Sequence, residues 1–375
     1  MEHCRAAERA LVTSLILGDA DACDFTGRLR ASDFADPAAG LLFEVALASG
    51  RAAGEIGREL PVLLRREGVL RSDGYPLSEL LSWMPQVPTP AHPNAWAALV
   101  VAGSLARQVQ ASGIRLVQCA ERAHECGGGP GRVLAMAEAQ RAAVRSALRR
   151  WHELPASWRD SLPPGVVAAG SVLPSSTVPP QAHGGASAGR ERELLAGLAA
   201  APKLLGRIPW LRESDFSEPS CGVVFGALRR LHEFGHPVDA ITLALATSRT
   251  EPVPGIESPA AVAAALRPEQ AFPSAVPFLA RQVLERGIVT AAKQVGEDLV
   301  GLARGSSAEA GLGAPMLAAA TERLEQLRPH HLRLHNAKQA SASVRSSVRS
   351  PVGITPATCQ LPAPARPDVL DRSAG

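Results

Sequence analysis

Ser32-Asp33-Phe34-Ala35-Asp36-Pro37-Ala38-Ala39-Gly40-Leu41-Leu42-Phe43 returns without a gap as Ser214-Asp215-Phe216-Ser217-Glu218-Pro219-Ser220-Cys221-Gly222-Val223-Val224-Phe225. The offset is 182 positions, six residues are identical, Glu218 replaces Asp36, and two leucines become valines. A match of this kind reads as two copies of one unit, and the spacing is far too long for a solenoid. The expectation is a tandem duplication of a whole domain.

Working outward, each block opens with a helix. Glu8-Arg9-Ala10-Leu11-Val12-Thr13-Ser14-Leu15 corresponds to Glu191-Arg192-Glu193-Leu194-Leu195-Ala196-Gly197-Leu198. Leu11 and Leu15, like Leu194 and Leu198, are four residues apart and share a face. The repeated stretch then starts a second helix. Asp36-Pro37 and Glu218-Pro219 place a carboxylate before a first-turn proline, which suits both the free first-turn N–H groups and the helix dipole. Phe43 and Phe225 should point inward, with Phe34 and Phe216 packing at the helix start. Asp239 reads as the N-cap of a third helix in the second block, and Pro61 as a helix start in the first.

Each block closes with a helical hairpin, from about Asn94 to Glu125 and Arg132 to Trp151, then from about Ala275 to Arg304 and Ala314 to Leu327. Val133, Ala137, Val144, Ala147 and Trp151 form a stripe of three- and four-residue steps, interrupted by Gln140. Leu317, Ala320, Leu324 and Leu327 repeat that spacing. The fold expectation is all-α: two tandem small helical domains, each a helical globule followed by a hairpin, at 1–152 and 189–330. Pro/Gly-rich residues 153–188 read as a flexible linker, and the Ser/Pro/Arg-rich residues 331–375 as a disordered tail. A linker of this length spans roughly 30 Å, which permits the two blocks to pair with each other inside one chain.

Composition narrows the function. Aromatics make up only 4% of the 375 residues, which suits closely packed helices better than sheets. The net charge of +3 implies no strong overall field for nucleic acid. Six scattered cysteines contain no Cys-x-x-Cys pair, charges bracket the short apolar run at 11–17, and no apolar run is long enough to span a bilayer. The expectation is a cytoplasmic chain with reduced thiols and no membrane partner.

The two blocks resemble the N-terminal domain of DnaB-type replicative helicases. The resemblance rests on Glu8-Arg9-Ala10-Leu11, Asp33-Phe34, Asp36-Pro37, Phe43-Glu44, Leu63-Leu64-Arg65-Arg66-Glu67-Gly68, Val87-Pro88, and Asn94 with Trp96. In the second block it rests on Ser214-Asp215-Phe216, Phe225, Pro237-Val238-Asp239 and Ala280-Arg281. The ATPase signature Gly-x-x-x-x-Gly-Lys-Ser/Thr is missing from these residues, since Lys203, Lys293 and Lys338 are the only lysines and none follows a glycine. The resemblance implies a non-catalytic assembly module, with hairpins that pair and contact a replicative helicase, a helicase loader or primase, or support self-association. It implies no cofactor and no catalytic residue. A helicase collar whose ATPase lies on another chain, or a DNA-binding accessory, are the alternatives.

Trp96, Val133, Ala137, Val144, Trp151, Leu317, Leu324 and Leu327 on the hairpins are therefore the candidate partner-binding residues. Arg145, Arg149 and Arg150 are candidate phosphate contacts, along with Arg345 and Arg349 in the tail. Other patterns read better as structure than as chemistry. His232 and His236 near Cys221, and His330, His331 and His335, lack a complete zinc set, so no metal is expected. Cys119, His124 and Cys126 have no zinc-like spacing. Gly185-Ala186-Ser187-Ala188-Gly189 has no strand before it, as a nucleophile elbow requires. Asp33, Asp36, Asp215 and Glu218 read as helix caps.

Overall fold

The computed structural model describes residues 2–17, 20, 22–48, 62, 92–126, 129–162, 186–248, 257–305 and 313–348. The expectations at Pro61, Leu63–Gly68, Val87-Pro88, residues 163–185 and the end of the chain from Arg349 lie outside the described residues. The described residues are mostly helical and contain no strand, so the fold class is all-α.

The first block comprises α1 (Glu2–Leu17), α2 (Pro37–Ala48), α3 (Pro93–Cys126), α4 (Pro130–Glu153) and the short α5 (Ala156–Asp160). The second comprises α6 (Ala186–Ala200), α7 (Pro219–Glu233), α8 (Ala240–Thr247), α9 (Pro259–Ala265), α10 (Val276–Gly305), α11 (Ala314–Glu325) and α12 (Pro329–Val348). Both hairpins fall where the sequence places them.

The repeated stretch folds the same way twice. A single 3₁₀ turn, Ala31–Asp33 or Glu213–Asp215, precedes α2 or α7. The ring centroids of Phe34 and Phe43 are 5.1 Å apart, and so are those of Phe216 and Phe225. The shared glycine has a steric reason. A Cβ on Gly40 would lie 2.6 Å from the Ala31 carbonyl oxygen, and one on Gly222 would lie 2.6 Å from that of Glu213. Asp239 caps α8, accepting the N–H groups of Ile241 and Thr242 at 2.8 Å each.

The two blocks pack on each other through their hairpins. Helices α3 and α10 run antiparallel and meet at Gly113 and Gly296, which occupy equivalent positions at an offset of 183. A Cβ on Gly113 would lie 2.5 Å from the Gly296 carbonyl oxygen, and one on Gly296 would lie 2.9 Å from that of Gly113. The flanking contacts are reciprocal: Val117 covers Gly296, and its equivalent Val300 covers Gly113. Helices α4 and α11 pack together beside this crossing. Leu134 of the first hairpin is buried in the core around the second globule, and its equivalent Leu317 in the core around the first. The arrangement is a pseudo-two-fold pair of hairpins within one chain.

Two expectations are corrected. Residues 331–375 do not begin as a disordered tail: α12 runs to Val348, with Arg333, Leu334 and Ala337 buried. Proline lacks the N–H of a helix interior and clashes with the preceding turn. Pro329 stands at the equivalent of Ser146, so the second hairpin arm breaks into α11 and α12 where α4 runs straight through. The start of the 153–188 linker is also packed rather than flexible. Leu154, Trp158 and Leu162 are buried, and Trp158 lies 5.4 Å from Phe25, with the Arg28 guanidinium 5.9 Å from the indole ring.

The crossing predicts an inversion of the usual glycine rule. In a free helix, Gly→Ala stabilises by up to about 1 kcal/mol. Gly301 faces open space on α10, and Gly301→Ala should follow that rule in urea denaturation. Gly113→Ala and Gly296→Ala should instead each destabilise by about 1–3 kcal/mol, because the added carbon meets backbone.

Candidate assembly interface

Two buried carboxylates lock each globule to its helices: Glu8 and Asp33 in the first, Glu191 and Asp215 in the second. Glu8 on α1 accepts the N–H groups of Ala35 and Asp36 at 2.7 and 3.0 Å, one on each oxygen. Glu191 on α6 does the same for Ser217 and Glu218 at 2.8 and 3.1 Å. These N–H groups lead into α2 and α7, so the carboxylate satisfies donors that have no partner within those helices. Burial raises the Glu8 carboxyl above its ordinary range, against the lowering effect of both N–H groups and Arg107.

Asp33 and Asp215 form the second pair. Each accepts the backbone N–H three residues back, from Arg30 at 2.9 Å and Arg212 at 2.8 Å, which closes the 3₁₀ turn. Each also receives an arginine from its hairpin's second arm. Arg150 donates to Asp33 Oδ1 at 2.7 Å and to the Arg28 carbonyl at 3.2 Å. Arg333 donates to Asp215 and, through Nε, to the Trp210 carbonyl at 2.8 Å. Arg150 and Arg333 are equivalent at an offset of 183, and Arg28 and Trp210 at 182. Each clamp thus holds its hairpin against its own globule.

The two clamps differ in one telling way. Ser104 on α3 donates its hydroxyl to Asp33 Oδ1 at 3.0 Å. Its equivalent on α10 is Gly287, where a Cβ would come within 2.8 Å of Asp215. The second globule therefore sits closer to its long helix and lacks the hydroxyl, leaving Asp215 Oδ1 buried without a hydrogen-bond partner. Burial raises the Asp215 carboxyl despite Arg333, and burial lowers Arg333 despite Asp215. Both directions say that desolvation outweighs the attraction, as is common for buried pairs.

The expected partner-binding residues lie inside the chain. Trp96, Val133, Ala137, Val144, Trp151, Leu317, Leu324 and Leu327 are all buried in one core. As a surface for a separate partner, that expectation is corrected, because the partner of each hairpin seam is the other block. Gln140 is buried within the seam, its Nε2 reaching Met136 Sδ at 3.2 Å. Ion pairs edge the seam, Arg141 and Arg145 with Glu325 and Lys293 with Glu121 at 3.2 Å, and His331 Nε2 lies 3.6 Å from a Glu138 carboxylate oxygen.

The expected phosphate contacts are also redistributed. Arg145 is paired with Glu325 and Arg150 with Asp33, so neither is free for a phosphate, while Arg149 stays exposed. Of the four matched carboxylates, Asp36 caps its helix through the Ala38 N–H at 3.0 Å. Glu218 makes no such cap and pairs with Arg192 at 3.3 Å. Asp33 and Asp215 close turns and bind arginine, which capping alone did not foresee.

Cys221 faces Glu191 and Glu218, not His232 and His236; one ligand atom from each of these three lies within 4.8 Å of the others. Both Glu191 oxygens already accept N–H groups, and the Cys221 thiol donates to Glu218 at 3.3 Å. Burial and the two carboxylates push that thiol up, so it stays a neutral donor and a poor metal ligand. Residues 186–189 form the start of α6, with no strand before them among the described residues.

Comparison with known proteins adds one match. The family model described as DnaB-like helicase N terminal domain matches residues 186–277. That span holds α6 to α9, the Asp215 turn and the start of α10. No curated protein and no solved structure matches the chain. No described helix is long and apolar enough to cross a membrane.

Two tests follow from the clamps. Arg333→Met leaves Asp215 buried and unpaired, and should cost about 3–5 kcal/mol in urea denaturation. Arg150→Met should cost less, because Asp33 keeps Ser104 and Arg150 is more exposed. His330 gives a pH signature. Its Nδ1 lies 3.2 Å from Arg333 Nη1, and burial together with Arg333 and Arg212 lowers its pKa to about 4. The folded value lies below the unfolded one, so the unfolded chain binds this proton first as pH falls. The stability is complete above about 6.5 and is lost as pH falls toward about 4. Measured over that range, His330→Gln should flatten the fall relative to the parent chain.

Proposed function

We propose that this chain is a non-catalytic replication accessory built from two domains of the helicase N-terminal type, already paired. The observation that carries the reading is the reciprocal hairpin crossing at Gly113 and Gly296. The second block has the family match, and the first carries the same Glu, Asp and Arg clamp residues at equivalent positions. A pair of such domains joined in one chain presents a fixed two-fold unit, with no dependence on concentration.

In this reading the partner is a replicative helicase, its loader or primase, and the role is assembly without ATP hydrolysis. Since the seams are buried, the partner surface moves to the end of the second globule. Phe234 after α7, and Ile241 and Leu245 on α8, are exposed by 74%, 81% and 72%. Ile241 and Leu245 are four apart and share a helical face. All three fall within the family match. Exposed apolar groups clustered in this way are common at protein contacts.

The test is a pull-down of the intact chain from nuclease-treated extract, with mass spectrometry. The reading expects the helicase or primase to be enriched, and expects Ile241→Asp with Leu245→Asp to abolish that enrichment without lowering the thermal midpoint. Recovery of the chain alone would overturn it. ATP turnover by the purified chain would overturn the non-catalytic part.

A further inference from the structure

A second surface has no role in this assembly. On the first hairpin, Arg115, Gln118, Cys119, Arg122 and Ala123 of α3, with Arg132 and Met136 of α4, line an open pocket of about 280 Å³. The three arginines are exposed. None has an ion pair or hydrogen bond to an acid among the described residues, whereas Arg141, Arg145 and Arg150 farther along the same hairpin are all paired.

The fold gains nothing from this arrangement. Three guanidiniums around one pocket repel each other. Arg132 stands in the first turn of α4, which has no acidic residue and no side-chain cap. A cation there opposes the helix dipole, while an anion would be favoured. The second hairpin supplies an internal control. At an offset of 183, Asp298, Gly305 and Pro315 stand where the first has Arg115, Arg122 and Arg132. The shared scaffold residues, Gly113 with Gly296 and Arg150 with Arg333, recur in both hairpins. The three arginines do not, so building a hairpin does not require them.

We propose that this pocket binds the phosphates of single-stranded nucleic acid. Arg115 and Arg122 are two helical turns apart on one face, roughly 10 Å along the axis, so they reach successive stretches of an extended backbone. Arg132 and the start of α4 face them across the pocket. Guanidinium forks match two phosphate oxygens each. No aromatic residue lines the pocket, so the interaction reads phosphate charge and not base identity. Binding is weak, indifferent to sequence and sensitive to salt.

The test uses the full chain and a fluorescein-labelled 20-mer of thymidylate, read by anisotropy from 20 to 200 mM NaCl. Three phosphate contacts on a single strand predict a slope of about −2 in log K against log salt. Arg115→Gln, Arg122→Gln and Arg132→Gln together should weaken binding at least about tenfold and flatten the slope. Arg149→Gln should change neither. The triple variant should keep the parent's thermal midpoint, because no partner is lost. Binding unaffected by the triple variant, or no binding at low salt, would overturn the proposal. So would displacement of the strand by polyglutamate at equal charge, which would assign the pocket to an acidic peptide.

Discussion

The close approach of Gly113 and Gly296 is the constraint on which the rest of the structure depends. Two backbones this near leave no room for a Cβ on either side. The helices can then bring Leu134 and Leu317 each into the other block's core, and the hairpin seams are buried together. A wider crossing would leave those stripes in water. Because the glycines are equivalent positions of a repeat, one sequence feature serves both halves of the crossing. This is the logic of an isologous dimer interface carried out within one chain.

The clamps connect that crossing to the globules. Asp33 with Arg150, and Asp215 with Arg333, tie the second arm of each hairpin to the turn before α2 or α7. The buried carboxylates of Glu8 and Glu191 tie the first helix to the same turn. A shift of a hairpin must therefore disturb its globule, and the reverse. The copies are not interchangeable, however. Ser104 supports Asp33, while Gly287 lets α10 press against Asp215 and leaves one of its oxygens unpartnered.

Much of this was legible in the sequence because the repeat supplied its own comparison. The paired phenylalanines, the proline-started helices, the Asp239 cap and both hairpins follow from periodicity and capping rules. What periodicity could not say was what each hairpin packs against, since a buried stripe looks the same for an internal or an external partner. The roles of Glu8 and Glu191 were missed because a carboxylate in a first helix reads as solvated; the signal was the Glu-Arg pair at the same place in both blocks. Arg333 was missed because Pro329 and the polar residues after it resemble a tail. Counting 183 residues on from Arg150 would have found it.

The central claim is that the two hairpins of one molecule pair with each other. The salt bridge between Lys293 and Glu121, 3.2 Å across the α3–α10 interface, gives a direct probe. Treatment of dilute protein with a carbodiimide joins an amine and a carboxylate in contact through an amide bond. The account predicts a Lys293–Glu121 crosslink, identified by mass spectrometry, in the band of the single 39.2 kDa chain. A crosslink found only in a dimer band would show that the hairpins pair between chains and would contradict the account, as would its absence from every band.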